Sequence, residues 1–295
     1  MSIWNDYDSQ LEQISECQIH TTKAQLAHRM MLADFWGIRP GDHVLEVGCG
    51  QGDTTVVLAE AVGDDGHVVG IDTASGGYGA PTTIGDAHAF TKSSRLGGRI
   101  EYRLQTDLLN GDVDFPSEQF DMVVFSMASW NMSSPSLFAE LLAKVRPWAR
   151  RLGYAEWDPR IQQINQVPHL VAVLVHLHFR TVWPKTPRDT ISSLILPKMA
   201  RSMAESGGWR IREEKVEAEV SSRLDDGKSW EMTTAMAMID WWGTSRKTDD
   251  SSYPFEVISS EVELLADLSG LGSDDRARSF IKENASLPTY AFVAE

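Results

Sequence analysis

Basic residues are scarce in this chain: 27 Lys and Arg stand against 42 Asp and Glu among 295 residues, for a net charge of -15. A phosphate backbone is gripped by clustered cations, so nucleic acid is excluded as an expected partner. Cysteine is scarcer still. Only Cys17 and Cys49 occur, and the second lies between two glycines, so no disulfide framework is expected and a reducing cytoplasm is the expected location. Long hydrophobic runs are missing too: the longest, Leu170 to Phe179, is interrupted by His176 and His178 and is far too short to cross a bilayer. The opening residues, Met1 to Asp8, have no basic start and no apolar stretch, which excludes an ordinary secretory signal. Neither an internal repeat nor a low-complexity tract is visible. What is present is ordinary core-forming material, 42% hydrophobic, and one elaborated domain over residues 1–295 fits it.

The informative stretch is Val44-Leu45-Glu46-Val47-Gly48-Cys49-Gly50-Gln51-Gly52-Asp53. Strand-like residues run into glycines at every second position, and Thr54 to Ala61 then reads as a short apolar helix. Glycine at 48, 50 and 52 removes every second β-carbon, so the turn can take left-handed dihedrals and a ligand can lie against bare backbone. A dinucleotide fingerprint would place its third glycine where Asp53 stands, and the spacing therefore argues against NAD.

An acid two residues before the first glycine, followed by G-x-G-x-G, resembles the first motif of the class I S-adenosylmethionine (SAM) methyltransferases. Two later acids fit the same resemblance. Asp72 closes a second strand, His67 to Ile71, where a carboxylate can accept hydrogen bonds from both hydroxyls of a ribose lying over the glycine turn. Asp107 follows a third strand, Ile100 to Leu104, and the family uses an Asp here for the adenine amino group, with the next backbone N–H meeting the ring. The resemblance thus assigns Glu46, Gly48, Cys49, Gly50, Gly52, Asp72, Thr73, Asp107, Leu108, Ser126 and Met127 to the cofactor, SAM. Asp72 and Asp107 could otherwise be plain strand-end acids that cap helices.

The resemblance implies an α/β fold: a Rossmann-like seven-stranded, mostly parallel sheet with an antiparallel last strand, helices on both faces, and helical lid insertions. Residues 1–36 read as an N-terminal helical extension, 37–159 as the SAM-binding core, 160–190 and 218–285 as helical lid or substrate insertions, and 286–295 as the closing strand. In small-molecule members such an extension folds over the cofactor, which makes Tyr7 and His20 lid candidates; the alternative is solvated helix surface. A helix is expected over 135–150, and an inserted helix or pair over 161–179, where His169 and His176 share a face and His178 points away. Trp130, beyond the fourth strand (Phe120 to Ser126), could stack on a flat substrate or on the cationic sulfonium, or fill the core. His176 is the candidate proton acceptor, its alternative being a satisfied core histidine. Tyr7, Trp130 and His176 form the expected substrate pocket. A broad Met and Trp face from Trp230 to Trp242 suits an apolar substrate, the core, or a second copy of the chain in a homodimer.

No Asn or Asp followed by Pro-Pro-aromatic ends the fourth strand, as in nucleic-acid amino-methylating relatives. The paired glutamates of arginine-methylating relatives and the carboxylate-rich metal site of catechol-type relatives are not visible either, so no metal is expected. The expectation is methyl transfer to an oxygen or nitrogen of a small, apolar natural product, as in fungal secondary-metabolite methyltransferases, including those acting on amide nitrogens of dioxopiperazines. Two alternatives remain: a SAM-binding protein of this fold that catalyses a non-methylating rearrangement, and a non-catalytic partner subunit. No membrane association is expected.

Overall fold

A computed structural model describes residues 2–111, 113–182, 191–217, 253–268 and 285–295. The apolar face expected around residues 230–242 lies outside these residues.

Seven strands form one sheet in the order β3-β2-β1-β4-β5-β7-β6. They are β1 (His43–Val47), β2 (His67–Ile71), β3 (Ile100–Arg103), β4 (Phe120–Ser126), β5 (Ala149–Trp157), β6 (Ile211–Glu217) and β7 (Thr289–Ala294). Pairing from β3 through β5 is parallel, and β7 runs antiparallel to both β5 and β6. The expected fold class is therefore the observed one. Near-continuous apolar sequence in β1, β2 and β4 follows from cover on both faces. Leu45, Val47, Val69, Ile71, Val123 and Phe125 enter one core, while Val44, Val68, Met122 and Val124, one register step away, enter the other.

The second core lies under α1 (Tyr7–Ser15), α2 (Lys23–Trp36) and α3 (Asp53–Ala61). Thr22 starts α2 with a capping box to Gln25, and Gly37 ends it in the left-handed region at φ 67°. Trp36, at the end of α2, is buried against β5: a Cβ built on Gly153 would sit 3.0 Å from its ring, and its Nε1 donates to the Tyr154 carbonyl at 3.3 Å. The remaining helices are α4 (Ile84–Ser93), α5 (Pro135–Val145), α6 (Val167–Val182), α7 (Pro197–Ser206) and α8 (Tyr253–Leu268).

The helix expected over 135–150 is shorter. It stops at Val145, and Arg146–Trp148 make a single 3-10 turn, because Pro147 has no N–H to continue the helical ladder. β5 starts directly after this turn, at Ala149, which faces Phe120. The inserted helix begins later than expected, at Val167, after a short 3-10 turn over Ile164–Gln166, and continues to Val182. It packs on α8 through Ala172, Val175, Ile258, Val262 and Leu265. No described helix is long and apolar enough to cross a membrane.

Candidate functional site

The strand order reverses between β1 and β4, so the connections leaving their carboxyl ends diverge and open a crevice, where open parallel sheets bind ligands. The glycine turn stands in this crevice. Gly48, Gly50 and Gly52 all have positive φ, at 79°, 50° and 95°. The amides of Gly48 and Cys49 donate to the Ile71 carbonyl at 2.8 and 3.1 Å, tying the turn to the end of β2. Each glycine meets a different need. A Cβ on Gly48 would lie 2.7 Å from the Ala128 Cβ, and one on Gly52 would lie 2.6 Å from the Tyr102 hydroxyl. A Cβ on Gly50 would meet nothing within 4 Å, so open space lies over the middle of the turn. Beside it, Asp72 Oδ2 accepts from the Gly50 amide and Oδ1 from the Ala74 amide, both at 2.8 Å. Two amides fix the carboxylate, and each oxygen has a further lone pair for a ligand hydroxyl.

A cavity of about 950 Å³ extends from this turn, within the range of small-molecule and cofactor sites. Its wall includes Glu46, Gly48, Cys49 and Gly50 from β1 and the turn, Asp72 and Thr73 after β2, Asp107 and Leu108 after β3, and Ser126, Met127 and Trp130 from β4 onward. Leu137, Leu141, Met132 and Ile191 make one side of it apolar.

Three of the residues expected at the site lie elsewhere. Gly52 is behind the wall, against Tyr102. Tyr7 belongs to the packing of α1 on α2, where its hydroxyl donates to the Ala27 carbonyl at 2.9 Å. His176 is fully buried off the wall, and its Nδ1 accepts from the Ile191 amide at 3.3 Å. The lone pair a base would use is thus engaged in holding the 191–193 segment, and that segment is fastened in turn by the Ser192 and Ser193 amides to the Trp130 carbonyl at 2.8 and 3.1 Å. His169 is built in the same way, accepting from the Leu287 amide at 2.9 Å. Both histidines are braces, which a shared buried helical face permits but does not announce. His178, on the exposed side of α6, pairs with Glu261.

The N-terminal extension reaches the crevice through other residues. His20 Nε2 and the Thr21 hydroxyl, the latter at 2.8 Å, both bond Asp53 Oδ1 at the start of α3. Burial would raise the Asp53 pKa, but the hydrogen bond and charge of His20 win and hold it below its ordinary value. Behind this contact, Gln25 and Arg29 of α2 stand on the cavity wall.

Glu46 is buried at the end of β1, where Thr55 Oγ1 donates to it at 2.5 Å. Burial pushes its pKa up from 4.5 to about 8, against the Thr55 hydrogen bond. In the unfolded chain the group loses its proton at the lower value, so between pH 4.5 and about 8 the folded state binds more protons and stability falls as pH rises. Glu46→Gln should flatten this slope, gaining on the wild type as pH climbs through that window. Melting curves across it test this; parallel pH dependences would place the titration elsewhere.

Two wall residues carry chemistry that the sequence reading assigned to no role. Glu156, buried in β5, accepts at Oε2 from Ser129 Oγ (2.9 Å) and the Trp130 amide (3.1 Å), and at Oε1 from the Trp157 amide (3.0 Å). Arg29 is only 8% exposed, and its Nη1 donates to His28 Nδ1 at 2.6 Å. A signal existed for each: Arg29 falls on the apolar stripe of Leu26, Met30 and Ala33, and Glu156 interrupts a core strand. Charges at such positions are rarely placed without a partner or a ligand. Among the described residues no group of three or more His, Cys, Asp and Glu side chains could hold a metal ion.

Comparison with known proteins bears on this crevice. Residues 44–153 match the family model described as methyltransferase domain, and residues 5–78 match part of the model for protein-L-isoaspartate (D-aspartate) O-methyltransferase. The chain is 42% identical over 71 residues to the methyltransferase phomM of Diaporthe leptostromiformis, covering 22% of this chain and 18% of that protein. It is 36% identical over 137 residues to the nocamycin O-methyltransferase of Saccharothrix syringae, covering 46% of this chain and 42% of that one. The chain thus spans less than half the length of these curated relatives. A crystal structure of a cyclopropane-fatty-acyl-phospholipid synthase-like protein from Lactobacillus casei superposes with a TM-score of 0.77 at 28% identity, covering 97% of this chain and 99% of that one.

Proposed function

We propose that this chain, whose residues 44–153 match the methyltransferase domain family, transfers the methyl group of SAM to an oxygen or nitrogen of a small, apolar natural product. The observation that carries this reading is a single cavity with two unlike ends. One end is a bare glycine turn with open space over Gly50 and a fixed Asp72 beside it; the other is an apolar wall of Trp130, Met132, Leu137 and Leu141. The first end fits a nucleoside and the second fits an apolar molecule.

SAM supplies an electrophilic methyl group on a sulfonium, so the protein need only align, desolvate and, for an O–H or N–H acceptor, deprotonate. Asp72 and Asp107, both on the cavity wall, would hold the cofactor, the first at the ribose hydroxyls and the second at the adenine amino group. Ser126 and Met127, on the cavity wall at the end of β4, would border the methyl group. With His176 engaged as a brace, Glu156 takes the place of proton acceptor: it is the buried carboxylate at the end of β5, next to Trp130, the neighbour of the apolar side. The N-terminal segment is clamped beside the glycine turn by His20 and Thr21, which both bond Asp53.

Asp72→Ala should weaken S-adenosylhomocysteine binding by about 1 to 3 kcal/mol, the cost of leaving buried hydroxyls without their acceptor. Calorimetric titration measures this, and an unchanged dissociation constant would remove Asp72 from the site. The reaction itself is tested by incubating the enzyme with SAM and a panel of apolar hydroxylated and amide-bearing natural products, followed by mass spectrometry. Products heavier by one methyl, with S-adenosylhomocysteine released, support the reading.

A second reading rests on the full-length likeness to the Lactobacillus casei protein, named for a synthase acting on fatty acyl phospholipids. An unsaturated acyl chain would also suit an apolar cavity wall. Vesicles of unsaturated phospholipid included in the same panel decide between the two, because only the second reading places the added carbon on the lipid.

A further inference from the structure

We propose that His88 is a positioning residue for SAM: from behind the cavity it fixes the peptide between Gly50 and Gln51, on which the cofactor lies. The inference rests on the reading above, because it needs a guest on the glycine turn, and goes beyond it by reaching a side chain that the cavity wall does not include.

The freedom of glycine creates the need. Gly50 stands at φ 50° with open space above it, and with no side chain to constrain it the peptide plane that follows could turn either way at little cost. Two hydrogen bonds choose the direction. The Gly50 amide donates to Asp72 Oδ2, and the Gly50 carbonyl accepts from His88 Nε2, both at 2.8 Å. A trans peptide is planar with its C=O and N–H on opposite sides, so a carbonyl held towards His88 turns the Gln51 N–H the other way. Gln51 stands on the cavity wall, and among the described residues no backbone carbonyl accepts from its amide. His88 thus keeps the turn in one arrangement before a ligand arrives, and a site ordered in advance binds more tightly than one that must be ordered by its guest.

The imidazole is itself held in place. It is buried in α4, and its ring stacks on Tyr102 of β3 with centroids 3.5 Å apart and planes 6° from parallel. Tyr102 lies opposite Gly70 of β2, where a Cβ would come within 3.2 Å of the phenol ring; the bare strand lets that ring extend to Gly52, where a Cβ would meet its hydroxyl. A carbonyl can only accept, so the neutral imidazole carries its proton on Nε2. Burial lowers the His88 pKa, helped by the charge of His20 and opposed by the Gly50 bond and the charge of Asp72, which keeps the ring neutral at physiological pH. A second tie runs alongside, from Gln51 Nε2 to the Thr82 carbonyl just ahead of α4. α4 and its entry therefore splint the middle of the turn.

The test separates the donor from the ring. H88F keeps a flat ring for Tyr102 and has no N–H; H88Q offers an amide N–H at similar reach and gives up the stack. Titration calorimetry with S-adenosylhomocysteine should show binding about 10-fold weaker in H88F and within about threefold of the wild type in H88Q, with melting temperatures measured beside it. Affinity that follows the donor, whichever variant melts higher, supports the assignment. Equal weakening in both variants, weakening in neither, or affinity that follows melting temperature overturns it and leaves His88 as a core histidine that serves stability alone. A second measurement needs no variant: nitrogen-15 spectra of the histidine-labelled wild type should show His88 as the Nε2–H tautomer with and without S-adenosylhomocysteine, and an Nδ1–H tautomer in the complex overturns the assignment even if neither variant folds. Failure of the wild type to bind S-adenosylhomocysteine overturns the underlying SAM reading itself.

Discussion

Gly50→Val is expected to abolish S-adenosylhomocysteine binding while leaving the fold standing. The two consequences separate because of where the new side chain goes. Gly50 has φ 50°, within the left-handed region, so a β-branched residue pays a conformational cost of about 1 to 3 kcal/mol. No atom of the protein lies within 4 Å of the added Cβ, so no packing penalty follows. The isopropyl group instead takes the open space over the turn, beside the Asp72 carboxylate that bonds the Gly50 amide. Circular dichroism should report a native spectrum and melting a few degrees lower, with calorimetry detecting no nucleoside. Retained affinity would show that the guest does not lie on this turn. Gly48 is no substitute for the experiment, because its Cβ would press on Ala128 at 2.7 Å and confound binding with misfolding.

Trp36→Ala should give the largest loss of stability, about 3 to 5 kcal/mol, the range for removing a buried Trp or Phe. The indole is 1% exposed, lies flat against Gly153 in the middle of β5, and donates to the Tyr154 carbonyl at 3.3 Å. Truncation leaves a cavity between α2 and the sheet and removes one hydrogen bond to that carbonyl. In a domain of this size such a loss lowers the melting temperature by roughly 5 to 10 °C. A melting shift under 1 or 2 °C would show that the interface relaxes around the gap.

The scaffold was legible because it is written in short, local patterns. Val44 to Gly52, His67 to Asp72 and Phe120 to Ser126 each join an apolar run to a break at the carboxyl end of a strand, and these break points now border one cavity. Element ends were less legible wherever one residue outranks a pattern, as Pro147 does in cutting α5 short. The roles of histidines were not legible at all. His176 on an apolar helix reads the same whether it faces a cavity or braces a backbone amide, and only the position of Ile191 decides between them. Arg29 and Glu156 were legible as oddities, charges on core-facing positions, but a polar residue inside an apolar stripe gains a meaning only when the rest of the wall is known.

β7 lies between β5 and β6, and it contributes Thr289, which holds His28 and through it Arg29. A ribosome making this protein releases α2 and β5 long before residues 289–294 leave the exit tunnel. Until then the flank of β5 is an unpaired strand edge, open to pairing with other nascent chains, and the crevice is without its last support. The walls of the crevice should therefore be completed only once β7 has been made and has paired with β5.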